Sequence, residues 1–215
     1  MSLKKYDDLN RTNNIKLIAG FDEAGRGPLC GPVVAAGVIM DPNFDNELIN
    51  DSKKLTEKKR EECYELIIKN AIDYMIVSVS PQLIDRINIL EASRLGMQLA
   101  LDEMLKNNKI DLIMTDYMKL KTDLPILSLK HGDATSFSIA CASILAKVTR
   151  DRYMKDIDQK YPQYEFAKHK GYPTKRHLEL LDEYGPLSDF YRFSYGPLKK
   201  YRKYCLLYTS PSPRD

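Results

Sequence analysis

Four acidic residues stand at the ends of short apolar runs, where side chains of this type can bind cations. Asp22 and Glu23 close one run, Asp116 closes another, and Asp133 follows a third after a glycine. Carboxylates at strand ends can converge on one edge of a sheet, where open α/β folds usually place their sites. Their hard oxygen atoms suit Mg²⁺ or Mn²⁺ far better than Zn²⁺. Two such ions about 3.5–4 Å apart can activate a water molecule and stabilise the departing oxygen of a phosphodiester.

The same residue type also has an ordinary structural use, because an isolated aspartate at a strand end more often forms a turn than binds a metal ion. Asp41, Asp51, Asp111 and Asp123 provide the comparison within this chain. Asp41 precedes a proline and indicates a turn, and Asp111 and Asp123 receive no site role. The pattern therefore suggests a metal site without establishing it.

The strands that must position these carboxylates are predicted from hydrophobic runs and turn residues. The Gly/Pro-rich segment 25–32 separates the first two runs, which we expect to pair as an antiparallel hairpin. Later runs alternate with helical segments, which indicates an α/β domain with a mixed sheet. The predicted strands are Leu17–Phe21, Val33–Met40, Tyr74–Val79, Leu112–Asp116 and Ile126–Leu129.

Capping residues and the absence of helix breakers predict the helices. A serine or threonine before a helix accepts a hydrogen bond from one of its first amides, and proline fits the first turn. On this basis Thr56, Ser80 and Thr174 begin helices, and a Gly-Pro pair ends the last one. A longer helix is predicted over Leu90–Leu105, and no glycine or proline interrupts residues 138–159. The helix after Thr56 is expected to bury Cys63, Leu66 and Ile67.

Size and composition are those of an ordinary globular domain. The chain has 215 residues, of which 43% are apolar and 29% are charged, a balance that supports one core and excludes a disordered chain. No apolar run approaches the roughly 18 residues needed to cross a bilayer, and the first residues lack the apolar centre of a secretory signal. The four cysteines show no C-x-x-C pair and no zinc spacing, so we expect reduced thiols in the cytoplasm.

Charge is unevenly distributed along the chain, although the net charge is only +3. Residues 147–203 hold fourteen Lys or Arg against eight Asp or Glu, which leaves the remainder slightly acidic. A basic C-terminal third beside an acidic remainder favours one part that binds polyanions and another that binds cations. A solvated surface is the ordinary alternative for any single charge run.

Five distinctive sequence blocks lie between about Lys16 and Lys203. In chain order they are GFDEAGRGPL at 20–29, NDSKKL at 50–55, SIACASILAKVTRDR at 138–152, KHKGYPT at 168–174 and FSYGP at 193–197. These blocks resemble those of bacterial ribonuclease HII and occur in the same order.

The resemblance implies a ribonuclease H-like α/β fold, with a mixed central sheet flanked by helices and a helical C-terminal part. It implies hydrolysis on the 5′ side of a ribonucleotide, leaving 3′-hydroxyl and 5′-phosphate ends. The implied partners are RNA–DNA hybrids and duplex DNA with single embedded ribonucleotides.

The resemblance also assigns the metal ligands. It implies two Mg²⁺ or Mn²⁺ ions held by Asp22, Glu23, Asp116 and Asp133, which act as the catalytic carboxylates. The segment around Asp116 departs from the form Ile-Asp-Gly-Asn that many members have, because it reads MTDYM at 114–118. It fits an Asp-x-Met-Lys-Leu variant of the family, so Asp116 remains the expected ligand.

Substrate recognition in the family involves a Gly-Arg-Gly turn and a tyrosine. Gly25, Arg26 and Gly27 match the turn, and glycines let backbone groups approach a sugar that carries a 2′-hydroxyl. A tight turn with no contact to substrate is the alternative. Arg26 is expected to contact a phosphate or sugar rather than form a structural ion pair. Tyr172 matches the tyrosine that stacks on the deoxyribose after the ribonucleotide, and Pro173 favours an extended backbone there.

Basic and imidazole side chains receive more general expectations. Lys53, Lys54 and Lys147 are expected to contact phosphates, since such contacts position a duplex without reading its bases. No pair of histidines has metal-ligand spacing. We expect the following side chains to be polar surface or to support the site from behind: His131, His169 and His177.

The expected domain covers residues 1–203, as a monomer that makes no contact with a membrane. Residues 204–215 have two prolines and no periodicity, and they are expected to be a disordered tail that need not be native to the fold.

Three alternatives remain open at this stage. Ribonuclease HIII usually has an added N-terminal domain and a different turn, whereas only a short segment precedes Leu17 here. A catalytically dead nucleic-acid-binding module would be expected to lack one of the carboxylates. A metal-dependent phosphatase of small molecules would not need the basic C-terminal third.

Overall fold

The architecture is a five-stranded mixed sheet with helices on both faces, seen in a computed structural model that describes residues 2–201. The strand order is β3-β2-β1-β4-β5. The first three strands are antiparallel, and β4 and β5 continue the sheet in parallel with β1. The strands are β1 (Ile18–Ala24), β2 (Val33–Met40), β3 (Ala71–Val79), β4 (Leu112–Asp116) and β5 (Ile126–Leu129).

The predicted hairpin of the first two strands is confirmed. Asp22 of β1 lies opposite Ala36 of β2, and every residue of β2 is buried. A strand covered on both faces needs a continuous apolar run rather than an alternating one, which is the pattern from Val33 to Met40. The predicted bounds of β4 and β5 are also those observed.

Seven α-helices surround the sheet in the described part of the chain. The predicted caps are confirmed, since Thr56, Ser80 and Thr174 each accept a hydrogen bond from an amide in the first turn of their helix. The helices are α1 (Leu3–Asn10), α2 (Glu57–Asn70), α3 (Pro81–Ile87), α4 (Ile89–Met104), α5 (Phe137–Lys160), α6 (Phe166–His169) and α7 (Lys175–Tyr184).

Helix α5 lies unusually close to the central strand β1. A Cβ atom at Gly20 would stand 2.2 Å from the carbonyl carbon of Ser138, so only glycine permits this approach. Cys63 and Ile67 of α2 join the core on the same face, whereas Leu66 is only half-buried. Helix α4 covers the opposite face, and a third core holds the helical C-terminal part.

Helix α1 was not predicted from the sequence, because its residues are mostly polar. Its anchor is the buried carboxylate of Asp7, which accepts hydrogen bonds from the Ser138 amide at 2.8 Å and the Ser138 hydroxyl at 2.6 Å. Burial raises the pKa of Asp7. The first turn of α5 is thereby tied to the N-terminal helix.

Three cysteines, Cys30, Cys63 and Cys141, are buried free thiols, which agrees with the expectation for them. Within residues 2–201, no helix combines the length and the hydropathy that a bilayer crossing requires. Cys205 and the proposed tail at 204–215 lie outside the described residues.

Candidate active site

The carboxylates of β1 and β4 meet at one edge of the sheet. Phe21 of β1 pairs with Thr115 of β4, so Asp22 and Asp116, one residue further on, lie side by side on parallel strands. Asp22, Glu23 and Asp116 all line one cavity of about 260 Å³, named here the carboxylate cavity. Both β1 acids lie within the strand, which extends to Ala24 and therefore ends later than predicted.

Like charges meet in this cavity away from solvent. Asp22 is 5% exposed, and its pKa is raised well above the ordinary value by burial and then by repulsion from Glu23 and Asp116. Burial also raises the pKa of Glu23, against the opposing effect of Arg26. Hydrogen bonds to Asp22 from the Glu23 amide, at 2.7 Å, and from the Ser143 hydroxyl offset only part of this cost.

The fourth carboxylate is held by a lysine. The Lys53 ammonium lines the carboxylate cavity and donates to Asp133 Oδ2 at 2.8 Å, and this hydrogen bond raises the pKa of Lys53. Asp133 itself is buried and is not one of the lining residues. The Gly132 amide donates to Asp116 Oδ1 at 2.9 Å, which links the segment before Asp133 to β4.

The donor set fits a divalent cation. Glu23 Oε2 is buried and has no hydrogen-bond partner among the described residues, and Asp22 is buried beside two other acids. Positive charge placed there would satisfy both. In residues 2–201, no three His, Cys, Asp or Glu side chains stand in a ready-made ligand shell. Asp133 could join a shared site only after Lys53 released it.

The Gly-Arg-Gly turn forms one wall of the carboxylate cavity, as Gly25, Arg26 and Gly27 all line it. Gly25 has a φ of +97°, and a Cβ there would stand 2.2 Å from Arg150 Nε, so both conformation and space demand glycine. Arg26 is 51% exposed on its side chain, with Nη1 3.3 Å from Glu23 Oε1. The expectation that Arg26 forms no ion pair is corrected by this contact with the acid three residues before it, and the expected contact with a phosphate or sugar stays a prediction.

Tyr172 stands against this turn. A Cβ at Gly27 would lie 3.4 Å from a Tyr172 ring carbon, and the tyrosine is 42% exposed. Its backbone is fixed on both sides, since the amide donates to the His169 carbonyl at 2.9 Å and the carbonyl lies 2.9 Å from His177 Nδ1. The proposed sugar-reading turn and the proposed stacking ring therefore lie side by side on the wall of the carboxylate cavity.

The histidines behind Tyr172 are buried rather than on the surface. The rings of His169 and His177 stack with centroids 4.0 Å apart, and His177 Nε2 lies 2.8 Å from the Tyr191 hydroxyl. The surface alternative for these two is therefore wrong, since they pack inside the aromatic third core. His131 is exposed, as that expectation allows.

Two buried arginines, which sequence reasoning missed, hold the loops that carry the turn and Tyr172. Arg150 donates to the carbonyls of Cys30 and Lys170 at 3.1 and 3.0 Å. Arg192 donates to the carbonyls of Pro28 and Gly31, both at 2.9 Å. We call Arg150, Arg192 and their carbonyl partners the arginine network. Arg192 lies in the aromatic run FYRF at 190–193, which was an available signal, whereas Arg150 lies in the polar stretch KVTRDR at 147–152, which gave none.

The lysines divide into two groups. Lys53 and Lys147 line the carboxylate cavity, and Lys147 Nζ also lies 2.8 Å from Asp151. Lys54 is exposed and does not line it. Further lining residues that the sequence did not single out are Ser52, Arg60 and Ser143.

Comparison with known proteins places this arrangement in a family. The family model described as Ribonuclease HII matches residues 19–197. The chain belongs to the ribonuclease HII family. Ribonuclease HII of Mycoplasma mycoides subsp. mycoides SC is 46% identical over 204 residues, covering 94% of this chain and 98% of that protein. Ribonuclease HII of Acholeplasma laidlawii is 50% identical over 186 residues, covering 86% and 90%.

Solved structures agree with the ribonuclease HII assignment. Ribonuclease H2 from Pyrococcus horikoshii OT3 superposes with a TM-score of 0.75 at 29% identity, covering 89% of this chain and 99% of that one. The structure of Bst-RNase HIII in complex with Mn²⁺ has a TM-score of 0.74 at 15% identity, covering 91% and 72%, and shows likeness of fold alone. The predicted ribonuclease H-like fold is thereby confirmed. As a ribonuclease HII, the chain is a divalent-metal-dependent endoribonuclease that acts on RNA–DNA hybrids.

Proposed function

We propose that the protein cleaves the 5′ phosphodiester of single ribonucleotides embedded in duplex DNA, as well as RNA–DNA hybrids, and leaves 3′-hydroxyl and 5′-phosphate ends. The observation that carries this proposal is that the Gly25–Gly27 turn and the Tyr172 ring lie side by side on the wall of the carboxylate cavity. A lone ribonucleotide offers one 2′-hydroxyl, so its recognition needs a sugar-reading group beside the hydrolytic one.

The proposed metal ligands are Asp22, Glu23, Asp116 and, once free of Lys53, Asp133. Two Mg²⁺ or Mn²⁺ ions bound there would supply Lewis acidity and an activated water. The rigid pairing of β1 with β4 keeps the Asp22 and Asp116 carboxylates at a fixed separation. Asp22 is buried and Asp116 is half-buried, so both would be partly shielded from solvent when they bind an ion.

Positioning of the substrate falls to the turn and the ring. Gly25 to Gly27 lack side chains at both ends, so their backbone can approach a 2′-hydroxyl, which both donates and accepts hydrogen bonds. The half-exposed ring of Tyr172 offers a flat apolar surface to the next sugar, which lacks that hydroxyl. Lys53 and Lys147 lie where they can hold the flanking phosphates.

The test is cleavage of two matched labelled duplexes, one with a lone ribonucleotide and one made entirely of DNA. Wild type should cut only the first, and EDTA should abolish the cut until Mg²⁺ or Mn²⁺ is added. Tyr172→Ala should lose about tenfold or more, because aromatic stacking on nucleic acid contributes about 1–3 kcal/mol. Tyr172→Phe should retain most of the activity.

Tyr74 provides the matched control, since it is a half-exposed tyrosine on the edge strand β3. Tyr74→Ala should cleave like wild type. Equal cutting of both duplexes by wild type, or full activity of Tyr172→Ala on the first, would overturn the proposal.

A further inference from the structure

Tyr117 follows Asp116 directly and is 78% exposed, more than any other large apolar side chain of the described residues. Its ring takes no part in the core, although its neighbour Met118 is buried. A large aromatic ring facing solvent beside a reactive site is a common contact for nucleic-acid bases and sugars. The ring therefore needs an explanation other than packing.

The backbone of Tyr117 is strained. Its φ of 54° is left-handed, a conformation that is unfavourable for a bulky side chain. The Tyr117 amide donates to the Leu129 carbonyl at 2.9 Å, and Asp116 pairs with Leu129 across β4 and β5. The parallel pairing thus fixes Tyr117 in a conformation that glycine would adopt more easily. Strain that the surrounding structure maintains is frequent at ligand-binding sites.

Two lysines lie close to Tyr117 along the backbone, since Lys119 is two residues further on and Lys130 follows Leu129, which accepts the hydrogen bond of the Tyr117 amide. Lys119 is exposed between buried Met118 and Leu120, and Lys130 is exposed directly after β5. Within residues 2–201, neither ammonium group takes part in an ion pair. Most other cations near the carboxylate cavity do have such partners, as Lys53 and Lys147 show. This part of the surface therefore has both an exposed aromatic ring and two lysines that form no ion pair within residues 2–201.

We propose that Tyr117, Lys119 and Lys130, named here the β4–β5 rim, form a second contact surface for the nucleic-acid duplex. The strand order places the ends of β4 and β5 on one side of Asp22 and the β1–β2 turn with Tyr172 on the other. A duplex whose phosphodiester reaches the carboxylates must continue past them in both directions. Tyr172 serves one flank, and the rim serves the other.

The chemistry of the rim favours a nucleic-acid occupant over a protein. The lysines match phosphates, which are spaced regularly along a strand, and the ring can stack on a base or sugar whatever the sequence. The rim is also continuous with Asp116, where the phosphodiester must lie. The inference rests on the proposed duplex substrate, but it concerns binding rather than the choice of the cleaved bond.

The experiment measures the Kd of a fluorescent all-DNA duplex and of the lone-ribonucleotide duplex by anisotropy in EDTA, over a series of salt concentrations. Tyr117→Ala should raise both Kd values by about tenfold, and Tyr117→Phe should leave them nearly unchanged. The double variant Lys119→Gln, Lys130→Gln should lower the log–log salt slope by about two.

Tyr117→Gly separates binding from folding, because glycine relieves the strain as it removes the ring. Its melting temperature should equal or exceed that of wild type while its Kd rises as in Tyr117→Ala. Lys109→Gln is the charge control, since Lys109 is exposed just before β4, at the opposite edge of the sheet. Its Kd values and its salt slope should stay closer to those of wild type than those of the lysine double variant do.

Unchanged Kd values in Tyr117→Gly, with an unchanged slope in the lysine double variant, would overturn the rim. If wild type fails to cut the lone-ribonucleotide duplex but the variants lose affinity as expected, the rim is supported and the proposed function is wrong. If wild type cuts that duplex normally but the variants lose no affinity, the proposed function is supported and the rim is wrong.

Discussion

The carboxylate cavity and the arginine network both bury charge, but they treat it in opposite ways. In the cavity, Asp22 and Glu23 lie beside Asp116 with an oxygen that has no partner among the described residues. In the network, Arg150 and Arg192 donate to backbone carbonyls, with no carboxylate within ion-pair distance in residues 2–201.

This difference separates two tasks. Satisfied buried donors fix a unique backbone shape, because losing any of them leaves carbonyls without partners. Buried acids without partners destabilise the fold when no cation is bound, and they therefore favour the binding of a cation. The network therefore holds the turn and the Tyr172 segment in place. The cavity instead keeps uncompensated negative charge, which a bound cation can neutralise.

Asp22→Asn should have the largest effect on catalysis. The loss of one ligand should slow cleavage about a thousandfold or more, since bound metal ions contribute several kcal/mol of charge stabilisation. Melting in EDTA near neutral pH should nevertheless occur at an equal or higher temperature, because the raised pKa of Asp22 shows that its ionised form destabilises the fold. Asp123→Asn, at an exposed acid with no site role, is the control. Lower stability of Asp22→Asn in EDTA would contradict the contrast between the regions.

Arg192→Met should show the other behaviour. It leaves the buried carbonyls of Pro28 and Gly31 without their donor, and each such loss costs about 1–3 kcal/mol. We expect the free energy of unfolding in urea to fall by about 3 kcal/mol, while Mn²⁺ affinity of the folded fraction stays near that of wild type. A variant as stable as wild type would show that the network does not hold the turn.

The carboxylate cavity should also differ from the buried histidines of the third core in the sign of the pH dependence that each gives to stability. Burial, and then repulsion from His169, lowers the pKa of His177 from 6.5 to about 4. The unfolded chain therefore takes up a proton first, and stability present above pH 6.5 is lost as the pH falls toward 4, by at most about 3 kcal/mol. The raised pKa values of Asp22 and Glu23 act oppositely, because their contribution to stability grows as the pH falls.

Unfolding of wild type, His177→Gln and Asp22→Asn across this pH range in EDTA separates these contributions. The deficit of His177→Gln relative to wild type should shrink toward acid pH. The advantage of Asp22→Asn should shrink as well, since wild-type Asp22 becomes neutral. Differences that do not change with pH would rule out both assignments.

Lys53→Gln should give the smallest effect. The Lys53 side chain is 76% exposed although that of Asp133 is only 3% exposed, and glutamine keeps a hydrogen-bond donor for the buried carboxylate. Losing only the charge of the exposed partner should therefore cost about 1 kcal/mol. Stability in EDTA should fall slightly, while Mn²⁺ should bind more tightly because Asp133 no longer has a competing cation. Lys54→Gln, at the neighbouring exposed lysine, should change neither quantity; weaker Mn²⁺ binding by Lys53→Gln would contradict the competition.

Much of the fold could be predicted because its signals are local. The apolar runs of β4 and β5 gave their bounds, and the caps Thr56, Ser80 and Thr174 follow from short-range hydrogen bonding. Four carboxylates were expected at one sheet edge for the same reason; Asp22, Glu23 and Asp116 line the cavity there, and Asp133 does not. Helix α1 was not predicted because its sequence is polar and it is held by a hydrogen bond between Asp7 and a residue 131 positions away.

The missed parts of the site depend on partners distant in sequence. Lys53 and Asp133 are 80 residues apart, and no local pattern pairs them. Arg192 and His177 are residue types that usually lie at the surface, yet carbonyls and a tyrosine hydroxyl satisfy them inside the protein. Periodicity records which residues are apolar, but it contains no information about such buried polar partners.

The link between Arg192 and Gly31 has a consequence for biosynthesis. The two residues are separated by 161 positions, which translation at about 5–20 residues per second covers in roughly 8–30 s. Strand β1 precedes Gly31, and strands β2 to β5 are all translated within that interval, so the sheet edge with its acids can assemble before Arg192 is added. The turn receives its arginine only after the whole sheet has been translated. The order of synthesis thus places the proposed cation site ahead of the turn that is proposed to bind the duplex.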